Sequence, residues 1–298
     1  VRIGKKVFPD LSGGRWWRME LRSAEGPAYA VNPQPVFFNF KSLLSFAFCY
    51  AVMGFLLGWT LSAAILVNIA WHEYGHLREA NRLGLRTAPM FFIPFFGGVA
   101  PILERFPSRW AEVTVTLAGP LFGWIMALIC CVVGWATDSP MLLVVAFVQA
   151  TVNLFNLVPI NPLDGGRLVK SLAFSISARV GRAVLTVTNL LAVVAAVWFM
   201  KPVFLLIAFI GYLDLKQELA REKQHNELDG VSVSIQGSEL PSELTERYRI
   251  EYRSAFRPLS SRETVLGVLG WVGLVVGLAG VMIAALAHPD VLTVMKRL

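Results

Sequence analysis

The sequence predicts an all-α polytopic membrane protein of about seven transmembrane helices, with a short β-hairpin or re-entrant loop at about residues 88–101. Three observations predict it. Of the 298 residues, 55% are hydrophobic and 16% charged, whereas a soluble domain carries about a quarter charged. The apolar residues are grouped in runs about as long as the roughly twenty residues a helix needs to cross a bilayer. The loops between the runs alternate between rich in arginine and lysine and nearly free of them, as expected if every second loop faces the cytoplasm. The formal charge of +7 is spread over those loops, so the expected partner is the lipid bilayer and not nucleic acid. Cys49, Cys130 and Cys131 all lie inside apolar runs, which argues against a disulfide framework.

Residues 1–36 are polar and basic, with Arg2, Lys5, Lys6, Arg15, Arg18 and Arg22. They read as a cytoplasmic N-terminal arm, without the early apolar core of a cleavable signal. Residues 37–215 form a six-span membrane core. Its first apolar run, 37–70, is too long for one span. A break at Gly58-Trp59-Thr60 gives two helices; one long tilted helix is the alternative. The basic loop that follows contains residues 90–101, which are apolar but interrupted by prolines and by Gly97-Gly98. That stretch is too short to span and fits a hairpin tucked against the protein. The third span, 113–136, carries Gly119 and Gly123 at a spacing that lets helices approach closely. A turn at Thr137-Asp138-Ser139-Pro140 leads to the fourth span, 141–157. A basic loop with Arg167, Lys170, Arg179 and Arg182 separates it from spans five (183–200) and six (203–215). Residues 216–264 read as a hydrophilic cytoplasmic loop with a short strand at 231–235. From Ser242 onward a helix with Leu244, Tyr248, Tyr252 and Phe256 on one face would lie on the membrane or on the protein. Residues 265–298 supply the last span and a C-terminal tail.

Within span two stands His72-Glu73-Tyr74-Gly75-His76. Each helical residue advances about 100°, so His76 lies roughly 40° around from His72, with Glu73 within roughly 100° of both. Two imidazoles on one face are a metal-binding pair, and a carboxylate beside them is placed to take a proton from water. The plainer reading, polar residues ending a span, is disfavoured because ionisable groups at that depth are costly. A third ligand is then needed. Asp164 stands out in Pro159-Ile160-Asn161-Pro162-Leu163-Asp164-Gly165-Gly166. The prolines stop span four, and the glycine pair lets the chain turn tightly behind the aspartate. The loop charges place the ends of spans two and four on the same side of the membrane. Asp214 is a weaker second candidate. Asp229, in Leu228-Asp229-Gly230, lacks the prolines and the second glycine. His225 and His288 read as ordinary solvated residues.

Together, His72-Glu73-Tyr74-Gly75-His76 and Asn156-x-x-Pro159 through Leu163-Asp164-Gly165-Gly166 resemble the site-2 protease family of intramembrane zinc metalloproteases. The resemblance covers about residues 60–170, and the Gly97-Gly98 and Ala118-Gly119-Pro120 segments fit the family's landmarks. It implies that His72, His76 and Asp164 hold one Zn2+, that Glu73 is the catalytic base, and that Asn156 helps stabilise the oxyanion. It also implies regulated intramembrane proteolysis: hydrolysis within, or near the cytoplasmic edge of, the transmembrane segment of a single-span membrane-protein substrate. The expected setting is a bacterial inner membrane, with the N-terminus and the site opening cytoplasmic. Phe95, Phe96, Gly97 and Gly98 are expected to bind an unwound substrate as an added strand. About ninety residues separate the two motifs, leaving no room for the PDZ domain that some members insert. Two rivals stand beside this reading. One is a membrane metalloprotease of another family that uses Glu218 or Glu222 as third ligand. The other is a metal transporter or non-catalytic metal-binding membrane protein.

Overall fold

A computed structural model describes residues 37–95, 97–103, 106–199, 208–216, 218–219, 234–235, 238–239 and 257–297. The N-terminal arm, Phe96, Glu222, His225, Asp229, most of the loop 216–264 and its expected surface helix lie outside the described residues.

The chain is mostly helical. Helix α1 (Phe40–Leu57) starts on a capping box in which Asn39 accepts from the Ser42 N–H. It ends at Gly58, whose φ of 86° suits a residue without Cβ. Helix α2 (Trp59–Arg82) begins at once, so the long apolar run is two helices and not one tilted helix. Strands β1 (Phe91–Ile93) and β2 (Gly97–Val99) pair antiparallel, Phe91 opposite Val99 and Ile93 opposite Gly97. This is the expected hairpin. Phe92 N–H donates to Ser45 Oγ at 3.2 Å, and the Phe46 and Phe92 rings meet edge to face, fixing β1 on α1.

Helix α3 (Arg109–Ala136) is capped by Ser108, and α4 (Pro140–Asn156) by Ser139 with proline in its first turn. Helices α5 (Asp164–Ile176) and α6 (Ala178–Phe199) follow. Residues 208–216 are helical. Short strands β3 (Ser234–Ile235) and β4 (Ser238–Glu239) pair with each other. The Ser260–Glu263 capping box opens α7 (Ser261–Leu286), and α8 (Val291–Met295) closes the described chain.

Two expectations are corrected. The basic stretch after span four is a helix and not a loop, with Asp164 as its first residue. The glycine pair behind Asp164 forms no tight turn. It lies in the first turn of α5, where a Cβ on Gly165 would strike the Leu157 carbonyl and one on Gly166 the backbone of Ile160 and Asn161. The glycines let α5 start against the end of α4.

Helix α3 is the centre, packing on α2, α4, α5 and α7. Small residues permit this: a Cβ on Gly75 of α2 would stand 2.6 Å from the Ala118 carbonyl oxygen of α3. Ala127, Leu143, Ala146, Ala150, Leu274 and Leu278 form the buried seam of α3, α4 and α7. The outward faces carry large apolar residues such as Phe40, Phe55, Trp198 and Ile283, far more than a soluble surface tolerates. Among the described residues α1, α3 and α7 are long and apolar enough to cross a membrane, and α4 is a shorter apolar helix. This is a membrane protein. Since Leu278 is fully buried, Leu278→Ala should cost about 2–5 kcal/mol and lower the thermal midpoint of the detergent-solubilised protein. An unchanged midpoint would show that α7 is not packed as described.

Candidate metal centre

His72 and His76 project from the buried face of α2 toward α3, α4 and the start of α5. That face is open because Gly119 of α3 lies against both rings; a Cβ there would collide with His76 Nε2 and come within 2.8 Å of His72 Nε2. Asp164 Oδ2 is 3.0 Å from His72 Nε2 and 3.4 Å from His76 Nε2, and the two Nε2 atoms are 3.0 Å apart. All three residues are buried. Topology thus brings together side chains separated by 92 positions.

The outer hydrogen bonds decide what the inner atoms can do. His76 Nδ1 lies 2.7 Å from the Val115 carbonyl oxygen. A carbonyl only accepts, so Nδ1 carries the proton. His72 Nδ1 lies 2.8 Å from Asn153 Oδ1. The orientation of the Asn153 amide is fixed in turn, since its Nδ2 donates to the Gln149 carbonyl at 2.8 Å and to Asn68 Oδ1 at 3.0 Å. His72 is therefore also protonated on Nδ1. In the neutral rings both Nε2 lone pairs then point at each other and at a carboxylate. Three acceptors facing one another in a buried space repel unless a cation lies between them. An ion bonded tetrahedrally at about 2.0–2.2 Å separates its ligand atoms by about 3.3 Å, close to the spacing found. The donor set and its hydrogen-bonded outer partners fit zinc.

Glu73 is half-buried, with an oxygen in the same 4.8 Å cluster as the His72 and His76 donors. Strand β2 covers it: a Cβ on Gly98 would stand 2.7 Å from Glu73 Cγ. Among the described residues the Glu73 carboxylate has no hydrogen bond or ion pair, which leaves it available as a base. Phe95 is half-exposed at the hairpin tip with a φ of 64°, and Gly97, at 97°, follows the turn. Asn156, the last residue of α4, is half-buried, and its side chain has no hydrogen-bond partner among the described residues.

Other candidates fall away. Asp214 lies 3.2 Å from Lys170 Nζ, and Glu218 lies 3.4 Å from Arg109 Nη2; both carboxylates serve ion pairs. His288 is not a solvated residue but is buried, its Nε2 3.0 Å from Asp138 Oδ1 beyond the far end of α3. Motif reading missed Asn153, Asn68 and Gln149. A signal was present, because three amides on otherwise apolar spans are costly unless they have partners.

The sequence profile of peptidase family M50, the site-2 protease family, matches residues 60–139 and 136–200, which takes in both motifs and the segment between them. Over that stretch the chain is similar to peptidase family M50. It is 24% identical over 168 residues to zinc metalloprotease MJ0392 of Methanocaldococcus jannaschii, covering 52% of this chain and 48% of that protein. Two further relatives are named as candidate zinc metalloproteases. The Synechocystis protein sll0528 is 26% identical over 135 residues, covering 44% of this chain and 35% of its own. Rip3 of Mycobacterium tuberculosis is 34% identical over 130 residues, covering 41% and 33%. The chain thus spans about a third to a half of the length of these relatives. Zinc is the cofactor the family implies.

If Asn153 holds the His72 tautomer, Asn153→Leu should weaken zinc binding about 10- to 100-fold, read by chelator competition on purified protein. Parental affinity would show that the amide does not support the ring.

Proposed function

We propose that this protein is an intramembrane zinc metalloendopeptidase that hydrolyses a peptide bond within, or at the cytoplasmic edge of, the transmembrane segment of a single-span membrane protein. The observation that carries the reading is a carboxylate, Glu73, with no hydrogen bond or ion pair among the described residues, beside a buried three-donor cluster and under a short strand. In this reading His72, His76 and Asp164 hold one Zn2+, which when bound acts as a Lewis acid and lowers the pKa of water toward about 7. Glu73 takes the proton of the attacking water and passes it to the leaving amine nitrogen. The Asn156 amide donates to the carbonyl oxygen as negative charge develops there.

A helical substrate hides its amides, so it must unwind before attack. The outer edge of β2 has no strand partner among the described residues, and the strand itself packs on Glu73 through Gly98. An extended segment added to that edge would present its backbone to the base, with Phe95, Phe96, Gly97 and Gly98 forming the receiving tip. Helices α2, α4 and α6 and a helix through 208–216 complete about seven spans with α1, α3 and α7. The alternating loop charges then put the N-terminal arm, the site opening and the loop 216–264 on the cytoplasmic side of a bacterial inner membrane. Regulated intramembrane proteolysis is the role this arrangement serves. The rival that takes Glu218 as third ligand is disfavoured by the pairing of that carboxylate with Arg109. The transporter rival is disfavoured because Glu73 sits idle unless it moves a proton.

Glu73→Gln should keep its zinc and lose turnover by about 10²–10⁴-fold, whereas Asp164→Asn should lose both. The test is co-expression with candidate single-span proteins and comparison of the fragments released. Cleavage by Glu73→Gln at the parental rate would remove Glu73 as the base. Gly97→Pro, which cannot adopt the φ of 97°, should weaken cleavage at unchanged zinc content. Unchanged cleavage would exclude the hairpin from substrate binding.

A further inference from the structure

Behind the metal centre lies a second buried cluster, and it is ionic. Lys170 of α5 is 3% exposed. Its Nζ lies 2.9 Å from Glu112 Oε1 of α3 and 3.2 Å from Asp214 Oδ2 of the 208–216 segment. The neighbouring Ser171 donates to Glu112 Oε2 at 2.9 Å. One turn on, the Arg109 guanidinium covers the Phe174 ring at 4.9 Å while pairing with Glu218. Isolated buried charges are costly, and a pair that breaks leaves the other partner uncompensated. These three elements are therefore held in one arrangement.

The cluster joins the two helices that complete the donor triangle. Glu112 lies three residues before Val115, whose carbonyl orients His76. Lys170 lies six residues after Asp164 on the same short helix, about 9 Å along its axis. The N-terminal end of α5 rests on backbone through Gly165 and Gly166, so the helix has a pivot near Asp164 and a fastening at Lys170. Releasing the fastening lets α5 tilt about the pivot and moves Oδ2 relative to the imidazoles.

We propose that Lys170, clamped by Glu112 and Asp214, is a positioning residue that sets Asp164 in the metal triangle. The clamp makes the segment entering the hydrophilic loop 216–264 part of the same device, because Asp214 and Glu218 are its outer jaw. The proposal rests on the reading of Asp164 as a metal ligand.

The experiment measures zinc affinity by chelator competition, together with the thermal midpoint of the metal-free protein, for the purified full chain and its variants. Lys170→Met should bind zinc at least about 10-fold more weakly, and Lys170→Arg should stay within about threefold of the parent by keeping the charge. A purely structural lysine would lower the midpoint of Lys170→Met at parental affinity, and that result overturns the proposal. Should Lys170→Met fail to fold, Glu112→Gln and Asp214→Asn decide. At least threefold weaker zinc binding in both supports the clamp, and parental affinity in either one overturns it. Asp164→Asn separates the two readings. Parental affinity there removes the metal site and the clamp together; a loss there with Lys170→Met unaffected removes the clamp alone.

Discussion

Two imidazole lone pairs and a carboxylate cannot share a dry pocket at 3.0–3.4 Å without a positive charge among them. Much of the surrounding fold serves that constraint. Gly119 gives the rings room, Val115 and Asn153 hold them in the tautomer that turns both lone pairs inward, and Gly165 and Gly166 let α5 begin close enough to bring Asp164 in. Each device is small, and together they come from three helices, α3, α4 and α5. The site is therefore a property of the bundle and not of the motif that marks it.

The same economy of polar groups runs through the membrane part. Large side chains that face outward are mostly apolar, while the buried Asn68, Asn153, Arg109, Glu112 and Lys170 each find a polar partner near the site. The Asn153 amide, held by Asn68 Oδ1 and the Gln149 main-chain carbonyl, ends on His72, and the ionic cluster around Lys170 ends on the helix that carries Asp164. In a low-dielectric interior such networks have discrete arrangements, because an unpaired member is costly. The hairpin is fastened both to α1, through Ser45 and Phe46, and to α2, whose Leu66 and Leu77 share a buried cluster with Phe92, so the strand over Glu73 is held by the same helix that carries the two imidazoles.

Much of this was legible in the residues. The break at Gly58, the hairpin around Gly97-Gly98, and the convergence of His72, His76 and Asp164 all follow from spacing, turn chemistry and loop charge. The misjudged boundaries share one cause. Helix α3 begins at Arg109 rather than at 113, and α6 at Ala178 rather than at 183, because hydropathy assigns charged residues to loops. Arg109 and Glu112 are instead helix-end charges neutralised by other elements, and no local pattern reveals a partner 58 or more positions away. The glycine pair misled for a similar reason: a glycine needed for close approach looks the same in sequence as one needed for a turn. Asn153 went unread because its partner is a ring 81 positions away.

The most direct test is a structure of the zinc-loaded protein with an anomalous map at the zinc edge. The account predicts one peak per chain, about 2.0–2.2 Å from His72 Nε2, His76 Nε2 and Asp164 Oδ2, with Glu73 beside it and unligated. A peak elsewhere, or one in which Glu73 takes the third position while Asp164 turns away, would contradict it.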